Sequence, residues 1–260
     1  MNVKNTGNNP CYLFHFWLLV TGKGEREHLP KLFKSLMSSG ICTFRVLRFI
    51  GQRSPITSEK RILKMVGSNK IIPDKDIEQI GYPTRDSLSK GICNFVILID
   101  DLEYSSRETA QEKFDRYRKA INAVLTDEQK CRASVHFLVN MLEAYYFADA
   151  RAINLALNMN PPLQDYPDDV EDIRHAKSEL EALCPGFREV DDGGRILDLI
   201  DVEHVLSGPD TCKSLRTLFK WCVEVLKSNP SYREIYLSLT EKYQLKDGQL
   251  SDITKSQLSN

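Results

Sequence analysis

Acidic residues follow an apolar segment near the middle of the chain, where residues 95–99 (FVILI) lead directly into 100–103 (DDLE). In extended backbone, successive side chains point to opposite faces, so Asp101 and Glu103 share one face and Asp100 lies on the other. Carboxylate oxygens are the ligands that Mg²⁺ prefers. The spacing predicts a divalent-cation site formed by Asp101 and Glu103, with Asp100 beside them. The alternative is a surface loop whose negative charge favours the start of the next helix.

A glycine-rich turn follows another apolar segment, since residues 12–20 (YLFHFWLLV) precede 21–25 (TGKGE). Glycine adopts positive φ angles readily and lets backbone N–H groups approach an anion at the start of a helix. It is not a Walker A loop, which needs four residues between its first glycine and Gly-Lys-Ser/Thr. The alternative is a tight strand-to-helix turn with Glu25 in the first helical turn. The pattern predicts phosphate binding by Gly22, Lys23 and Gly24.

Glu143 is a third acidic residue whose surroundings suggest chemistry. On a helix it shares a face with Tyr146 and Phe147, so its carboxylate is predicted to lie against apolar surface. Burying a carboxylate costs free energy unless it is paired or binds a metal. Glu143 is therefore predicted to be a catalytic or metal-binding residue, and a salt bridge to a lysine or arginine is the alternative.

The elements that must position these residues alternate between strands and helices. Hydrophobic patterns predict strands at 11–20, 42–50, 93–99 and 133–139, and helices at 26–38 and 106–125. This order predicts right-handed parallel crossovers, and ligands bind at the carboxyl ends of such strands. We therefore predict an α/β fold with a mostly parallel sheet flanked by helices.

Past residue 158 the patterns are helical only, at 174–183, 210–227 and 231–243. We predict three parts for the chain: a polar tail over 1–10, an α/β domain over 11–158 and a helical extension over 159–260.

Together the three acidic motifs resemble the TOPRIM superfamily, the fold shared by topoisomerases, bacterial primases and OLD-type nucleases. More closely, residues 21–25 (TGKGE), 99–103 (IDDLE) and 141–149 (MLEAYYFAD) are similar to a bacterial TOPRIM-like family. Members of that family are often encoded beside an AAA or ABC-type ATPase and are suspected of anti-phage defence. The resemblance implies a TOPRIM-like fold, a nucleic-acid substrate, an ATPase partner in trans and Mg²⁺ or Mn²⁺ as cofactor. It also implies catalytic roles for Glu25, Asp101 and Glu143.

The chain departs from the TOPRIM pattern at Thr21, because TOPRIM enzymes usually carry a glutamate at that position, directly before the glycine. The second motif is Asp-x-Glu in place of Asp-x-Asp. Two hypotheses therefore stay open. The first is a divalent-metal-dependent nuclease that cleaves DNA or RNA, and the second is a catalytically inactive sensor or regulatory subunit of an ATPase complex.

Charge along the chain is nearly balanced, with 35 Lys and Arg against 36 Asp and Glu, so any nucleic-acid surface must be local. Residues 41–70 contain seven basic residues and one acid, Glu59. A solvated basic face is the alternative to phosphate binding there. Elsewhere, Lys177 near the start of a later helix could neutralise a phosphate, and His28 shares a helical face with Glu25. Nucleic-acid contacts are predicted for Arg45, Arg48, Arg53, Lys60, Arg61 and Lys64.

The seven cysteines are scattered, without a Cys-x-x-Cys pair, a usage that suits a reducing compartment. The apolar segment 11–20 is interrupted by His15 and followed by charged residues, unlike a signal peptide. No apolar segment is long enough to span a bilayer. We therefore expect a cytoplasmic protein without a membrane partner.

Overall fold

The computed structural model describes residues 10–51, 74–103, 109–208 and 210–232. These residues form a four-stranded sheet in which all neighbouring strands are parallel, with the order β2-β1-β3-β4. Helices flank the sheet, which confirms the predicted α/β fold. The strands are β1 (Phe14–Val20), β2 (Cys42–Phe49), β3 (Asn94–Leu102) and β4 (Ala133–Val139).

The strand order reverses between β1 and β3. The chain leaves β1 towards β2 on one side and leaves β3 towards β4 on the other. In an open parallel sheet, such a reversal leaves a crevice outside the carboxyl ends of the two central strands, where ligands bind. The turn after β1 and the acidic end of β3 therefore flank the same crevice.

Two hydrophobic cores cover the two faces of the sheet. In β3 the side chains alternate as the pleat requires, with Phe95 and Ile97 in the first core and Val96 and Leu98 in the second. The second core contains α3 (Tyr82–Ser89), which follows a π-helical turn (Ile77–Gly81), and α4 (Ala110–Asn122). The first core contains a 3-10 helix (Leu29–Phe33), which follows α1 (Lys23–His28), together with α2 (Lys34–Met37) and the C-terminal helices.

The helical segment after β1 differs from the single helix predicted over 26–38. It begins at Lys23, and its middle is the 3-10 helix that contains Pro30. Proline has no backbone N–H, so it cannot continue the α-helical ladder in a helix interior. The earlier start places Glu25 in the first turn of α1, directly above the crevice.

Strand β3 is longer than predicted and includes two of the acidic residues. It continues past Ile99 because β4 pairs with it as far as Leu102, with Asp101 opposite Leu138. Asp100 and Asp101 are therefore held by a sheet rather than by a loop. The following helix begins at Ala110 instead of 106, and residues 104–108 lie outside the described part of the chain.

The described residues beyond 158 are helical, as predicted, and contain no strand. Helix α10 packs directly on the sheet, with the Trp221 ring edge-on to Phe16 and Phe95 at centroid distances of 6.2 and 6.3 Å. Within the described ranges, no helix is both long and apolar enough to cross a membrane. The remaining helices are α5 (Asp127–Lys130), a 3-10 helix (Leu142–Ala148), α6 (Ala150–Leu157), a 3-10 helix (Val170–Asp172), α7 (Ala176–Leu183), α8 (Asp191–Leu199), α9 (Val202–Val205) and α10 (Lys213–Leu226).

A disulfide joins Cys11 to Cys93, just before β1 and β3. The spacing of the cysteines did not reveal this pair, because only the sheet order places the beginnings of these two strands side by side. Disulfides are typical of oxidising compartments. The cysteine usage therefore no longer supports the expected reducing compartment.

Candidate metal centre

Two carboxyl groups meet in the crevice between β1 and β3. Glu25 comes from the first turn of α1 and Asp101 from the end of β3, and their side chains lie within hydrogen-bonding distance of each other. Both are buried, with 5% and 9% of their surface exposed. Glu25 Oε2 and Asp101 Oδ1 are buried without a hydrogen-bond donor among the described residues. Two carboxylates cannot donate to each other, so this contact requires a shared proton or a cation.

The electrostatics of the pair favour the same conclusion. Burial raises the pKa of Asp101 well above its usual range, and the charges of Glu25 and Glu143 raise it further. Burial also raises the pKa of Glu25, although its own backbone N–H opposes this. Desolvation and like charges both disfavour two ionised carboxylates. A bound cation would remove this penalty.

Glu143 approaches the pair from the 3-10 helix that follows β4, and only 4% of its surface is exposed. Burial raises the pKa of this carboxyl to about 7, and the charges of Glu189 and Glu25 act in the same direction. The predicted alternative was a salt bridge. Among the described residues Glu143 forms no ion pair, and the nearby Lys177 Nζ instead contacts Glu189 Oε2 at 2.6 Å.

An unusual turn brings Glu143 to the crevice. Asn140 and Met141, directly after β4, have φ angles of 57° and 75°. Non-glycine residues rarely adopt this left-handed region, and they do so mainly where the surrounding structure holds them. Asn140 N donates to Leu102 O at 2.9 Å, and its side-chain amide donates to Glu171 O at 2.6 Å. These bonds hold the turn against its strain.

Glu171 supports this turn from the C-terminal helices. Its Oε1 accepts from Ser214 N at 2.7 Å and from the Tyr145 hydroxyl at 3.0 Å, and its Oε2 accepts from Ser214 Oγ at 3.2 Å. Burial raises the pKa of Glu171 to about 7. Unlike the Glu25–Asp101 pair, this carboxyl has donors for both oxygens. We assign it a structural role.

Gly22 is needed for space rather than for its backbone angles. Its φ of −97° is open to any residue, but a Cβ at this position would lie 1.6 Å from Glu25 Oε2. Gly24 faces Glu189, whose Oε1 would be at an ordinary contact distance of 3.5 Å from an added Cβ. The space above the turn that the sequence suggested for a phosphate is thus occupied by carboxylates. Lys23 is exposed.

The structure separates the remaining predicted cation ligands from this pair. Asp100 lies on the opposite face of the sheet, where its Oδ2 accepts from the Tyr117 hydroxyl at 2.7 Å and lies 3.7 Å from Lys113 Nζ. Glu103 follows the end of β3 and is exposed. The alternation predicted for Asp100 and Asp101 is therefore present, and Glu25, Asp101 and Glu143 form the centre.

Comparison with family models, with curated proteins and with solved structures finds no match to this chain. Membership of a TOPRIM-like family therefore stays a prediction from the three motifs. Any functional argument must come from the chemistry of the centre itself.

Two residues of the C-terminal segment also act on the centre. The charge of Glu189 raises the pKa of both Glu25 and Glu143, and Lys177 acts on Glu143 with the opposite sign. Lys177 was a candidate from the sequence, but Glu189 was not. Glu189 lies in the irregular segment between α7 and α8, where no periodic pattern marks it.

The predicted nucleic-acid patch is only partly described. Arg45 and Arg48 are exposed on β2 and pair in register with Trp17 and Leu19, which pack on the second core. The metal centre lies on the other face of the sheet. Asp101 continues the series Phe95, Ile97 and Ile99, whose side chains lie in the first core. The other predicted contacts, Arg53, Lys60, Arg61 and Lys64, lie outside the described residues.

A second group of possible ligands was not identified from the sequence. Asp149, Asp165 and His204 offer ligand atoms within 4.8 Å of one another, a criterion that Glu25, Asp101 and Glu143 do not meet among the described residues. Their atoms already have other partners, however. Asp149 Oδ2 accepts from Asp201 N at 2.8 Å, and Asp165 Oδ2 contacts His204 Nε2 at 2.6 Å. Helix capping and one ion pair explain this group.

Replacement of Gly22 by alanine is expected to weaken metal binding while the protein stays folded. The new Cβ would displace the Glu25 carboxylate from Asp101. We expect an apparent metal affinity lower by about tenfold or more, measured as a smaller rise of the melting temperature in Mg²⁺ or Mn²⁺. Gly91→Ala is the control, because an added Cβ there meets its neighbours at an ordinary 3.6 Å. If the Gly22 variant showed the full wild-type rise of the melting temperature, Glu25 would not be a ligand of the metal.

Proposed function

We propose that this protein is a divalent-metal-dependent phosphodiesterase that cleaves DNA or RNA with Mg²⁺ or Mn²⁺. The observation that carries the proposal is the contact between two buried carboxyl groups, each with one oxygen that lacks a donor among the described residues. Nearby, Thr21 Oγ1 is also buried without a partner among the described residues. Three orphaned oxygens beside one crevice suit a hard cation that prefers oxygen ligands.

Each residue of the centre has a part in this mechanism. Glu25 and Asp101 would hold the ion, and the Thr21 hydroxyl would offer a neutral oxygen where TOPRIM enzymes usually carry glutamate. When bound, the cation would polarise a phosphoryl oxygen and activate water. Glu143, whose pKa is about 7, would complete the shell or accept a proton from the attacking water. Lys177 would turn from Glu189 towards the phosphate.

A role in anti-phage defence beside an ATPase rests on the resemblance of the motifs alone. A cytoplasmic location rests on the apolar segment 11–20, which is interrupted by His15 and followed by charged residues, unlike a signal peptide. The second candidate function is a regulatory subunit that binds metal without cleaving nucleic acid. Two observations favour it. Thr21 stands where TOPRIM enzymes usually carry glutamate, and Glu25, Asp101 and Glu143 do not all bring ligand atoms within 4.8 Å of one another.

Metal binding and cleavage, measured together, test the proposal. In thermal denaturation, Mg²⁺ or Mn²⁺ at 100 times its Kd should stabilise the wild type by about 2.7 kcal/mol through mass action. Asp101→Asn should abolish this gain, whereas Asp100→Asn, on the opposite face, should retain it. A wild type without a metal response, or an Asp101 variant with a normal one, would contradict the metal centre. A metal response without cleavage would favour the regulatory subunit.

A further inference from the structure

An open cleft of about 550 Å³ lies between α1 and α8. Basic side chains line it from both helices and from the segment before α8: His28, Lys31, Arg188 and Arg195, with Asp191 and Asp198 between them. Its volume falls in the range of ligand-binding pockets. Three permanent cations outnumber two carboxylates in its lining, and a positively charged groove that follows one phosphate backbone is typical of single-strand binding.

Two residues that line this cleft lie next to residues of the metal centre. His28 lies in α1, three residues after Glu25, which is about one helical turn. On the other wall, Arg188 directly precedes Glu189, whose charge acts on Glu25 and Glu143. A strand bound at the metal centre would therefore have this cleft beside it.

A glycine in α8 allows the two walls to approach. A Cβ at Gly194 would lie 2.6 Å from His28 Nε2, so any larger residue would push the imidazole out of its place. Glycine inside a helix costs about 1 kcal/mol relative to alanine. The close contact of the helices offsets this cost and places the imidazole along the cleft.

The charged groups of the cleft differ in how firmly they are held. Lys31 Nζ donates to Gly194 O at 3.0 Å and to Asp198 Oδ2 at 2.7 Å, so it supports α8 itself. The side chains of Arg188 and Arg195 are 65% and 55% exposed. Arg188 pairs with the exposed Asp191 at 2.8 Å.

Both arginines are able to bind a phosphate. Exposed ion pairs contribute about 0 to 1 kcal/mol, and a phosphate accepts two parallel hydrogen bonds from one guanidinium. Arg195 and Arg188 also contact Asp192, but this carboxylate keeps the backbone N–H of Arg188 as a donor at 2.7 Å. Its Oδ1 accepts from Arg195 Nη2, so Arg195 keeps this bond and would offer its other N–H groups to a phosphate.

We propose that the α1–α8 cleft binds a single nucleic-acid strand, and that Arg188 and Arg195 contact the phosphates next to the one at the metal centre. This inference rests on the proposed function and adds to it the path of the substrate. The path differs from the basic residues of β2, because Arg45 and Arg48 lie on the opposite face of the sheet.

Anisotropy titrations of a fluorescent single-stranded oligonucleotide test this path, with DNA and RNA versions as probes. All variants carry Glu143→Gln to prevent cleavage during the titration. Arg188→Gln with Arg195→Gln should lower the affinity about tenfold or more and reduce the slope of log K against log salt by about 1.4, or about 0.7 for each lost contact. Arg188→Lys with Arg195→Lys keeps the charges and should restore the salt slope and part of the binding, because lysine lacks the second parallel hydrogen bond. Arg45→Gln with Arg48→Gln is the matched control.

The outcomes separate the cleft from the metal centre. The inference would be overturned if the variant with glutamine at both positions still bound the strand, or if the variant with lysine at both positions regained no binding. It would also be overturned if binding depended on Arg45 and Arg48 instead. A protein that does not bind the strand would overturn it as well. Hydrolysis of bis(p-nitrophenyl) phosphate, which is too small to need the cleft, is measured alongside without Glu143→Gln. If the wild type does not hydrolyse this compound, the proposed function is refuted. If the Arg188→Gln, Arg195→Gln variant still hydrolyses it, the proposed function is unaffected by the loss of strand binding.

Discussion

Glu143→Gln is expected to stabilise the metal-free protein by about 3 kcal/mol at pH 8. The pKa of Glu143 rises from 4.5 to about 7 on folding, mainly through burial, and one pKa unit corresponds to about 1.4 kcal/mol. Glutamine has the same shape but no charge to desolvate. The same substitution should lower phosphodiesterase activity by about 10²- to 10⁴-fold, the usual contribution of a proton-transferring group.

The sign of the pH dependence follows from the raised pKa. Below about pH 4.5, Glu143 is protonated in both folded and unfolded chains, so wild type and variant should be equally stable. Between about pH 4.5 and 7, ionisation is favoured only in the unfolded chain, so the wild type loses stability relative to the variant. Above about pH 7 the group ionises in both states, and the difference stays constant. Urea midpoints in EDTA at pH 4.5, 6 and 8 measure this difference.

Added Mg²⁺ or Mn²⁺ provides the control for this prediction. The metal should stabilise the wild type more than the variant, because only the wild type offers a third carboxylate near the ion. A variant that is less stable than the wild type at pH 8 in EDTA would mean that Glu143 has a cationic partner.

Glu171→Ala should have the opposite effect and destabilise the protein by about 4 kcal/mol. This carboxyl has the same pKa of about 7, but it accepts three hydrogen bonds, from Ser214 N, Ser214 Oγ and the Tyr145 hydroxyl. Each orphaned buried donor costs roughly 1 to 3 kcal/mol. Denaturation at pH 4, where this group is mostly protonated in both the folded and the unfolded chain, measures the loss without a large contribution from its charge.

Glu171→Gln is the matched control for this second prediction. Its amide oxygen can still accept from Ser214 N and Tyr145, and its amide nitrogen can donate to Ser214 Oγ. It should retain most of the stability that alanine loses, and neither variant should alter the metal response by removing a ligand. Equal stability of the alanine variant and the wild type would show that the C-terminal helices do not depend on this residue.

Local patterns predicted the strands well, because period-two and apolar runs report burial directly. The opposite faces of Asp100 and Asp101 followed from the pleat alone. The extension of β3 to Leu102 did not, because it depends on pairing with β4, which is distant in sequence. The end of a strand is thus determined by the strands that pair with it, and the local sequence alone does not determine it.

The centre was predictable to a similar depth. Glu25, Asp101 and Glu143 stood in motifs beside apolar runs, and the structure brings them to one crevice. Glu189 had no such marker, and the left-handed turn at Asn140 and Met141 involves residues that seldom adopt it. Gly22 was noticed for its conformational freedom, although the reason for a glycine is the volume of Glu25.

The Cys11–Cys93 bond lies at the end of β1 and β3 opposite the metal centre. Because side chains alternate along a strand, sliding β3 by one residue against β1 would exchange the faces of its two aspartates. Asp100 would then meet Glu25, and Asp101 would turn towards Tyr117. A covalent link between Cys93, one residue before Asn94, and Cys11, four residues before its partner His15, opposes such a slip. The disulfide contacts neither aspartate, but it favours the register in which Asp101, and not Asp100, faces Glu25.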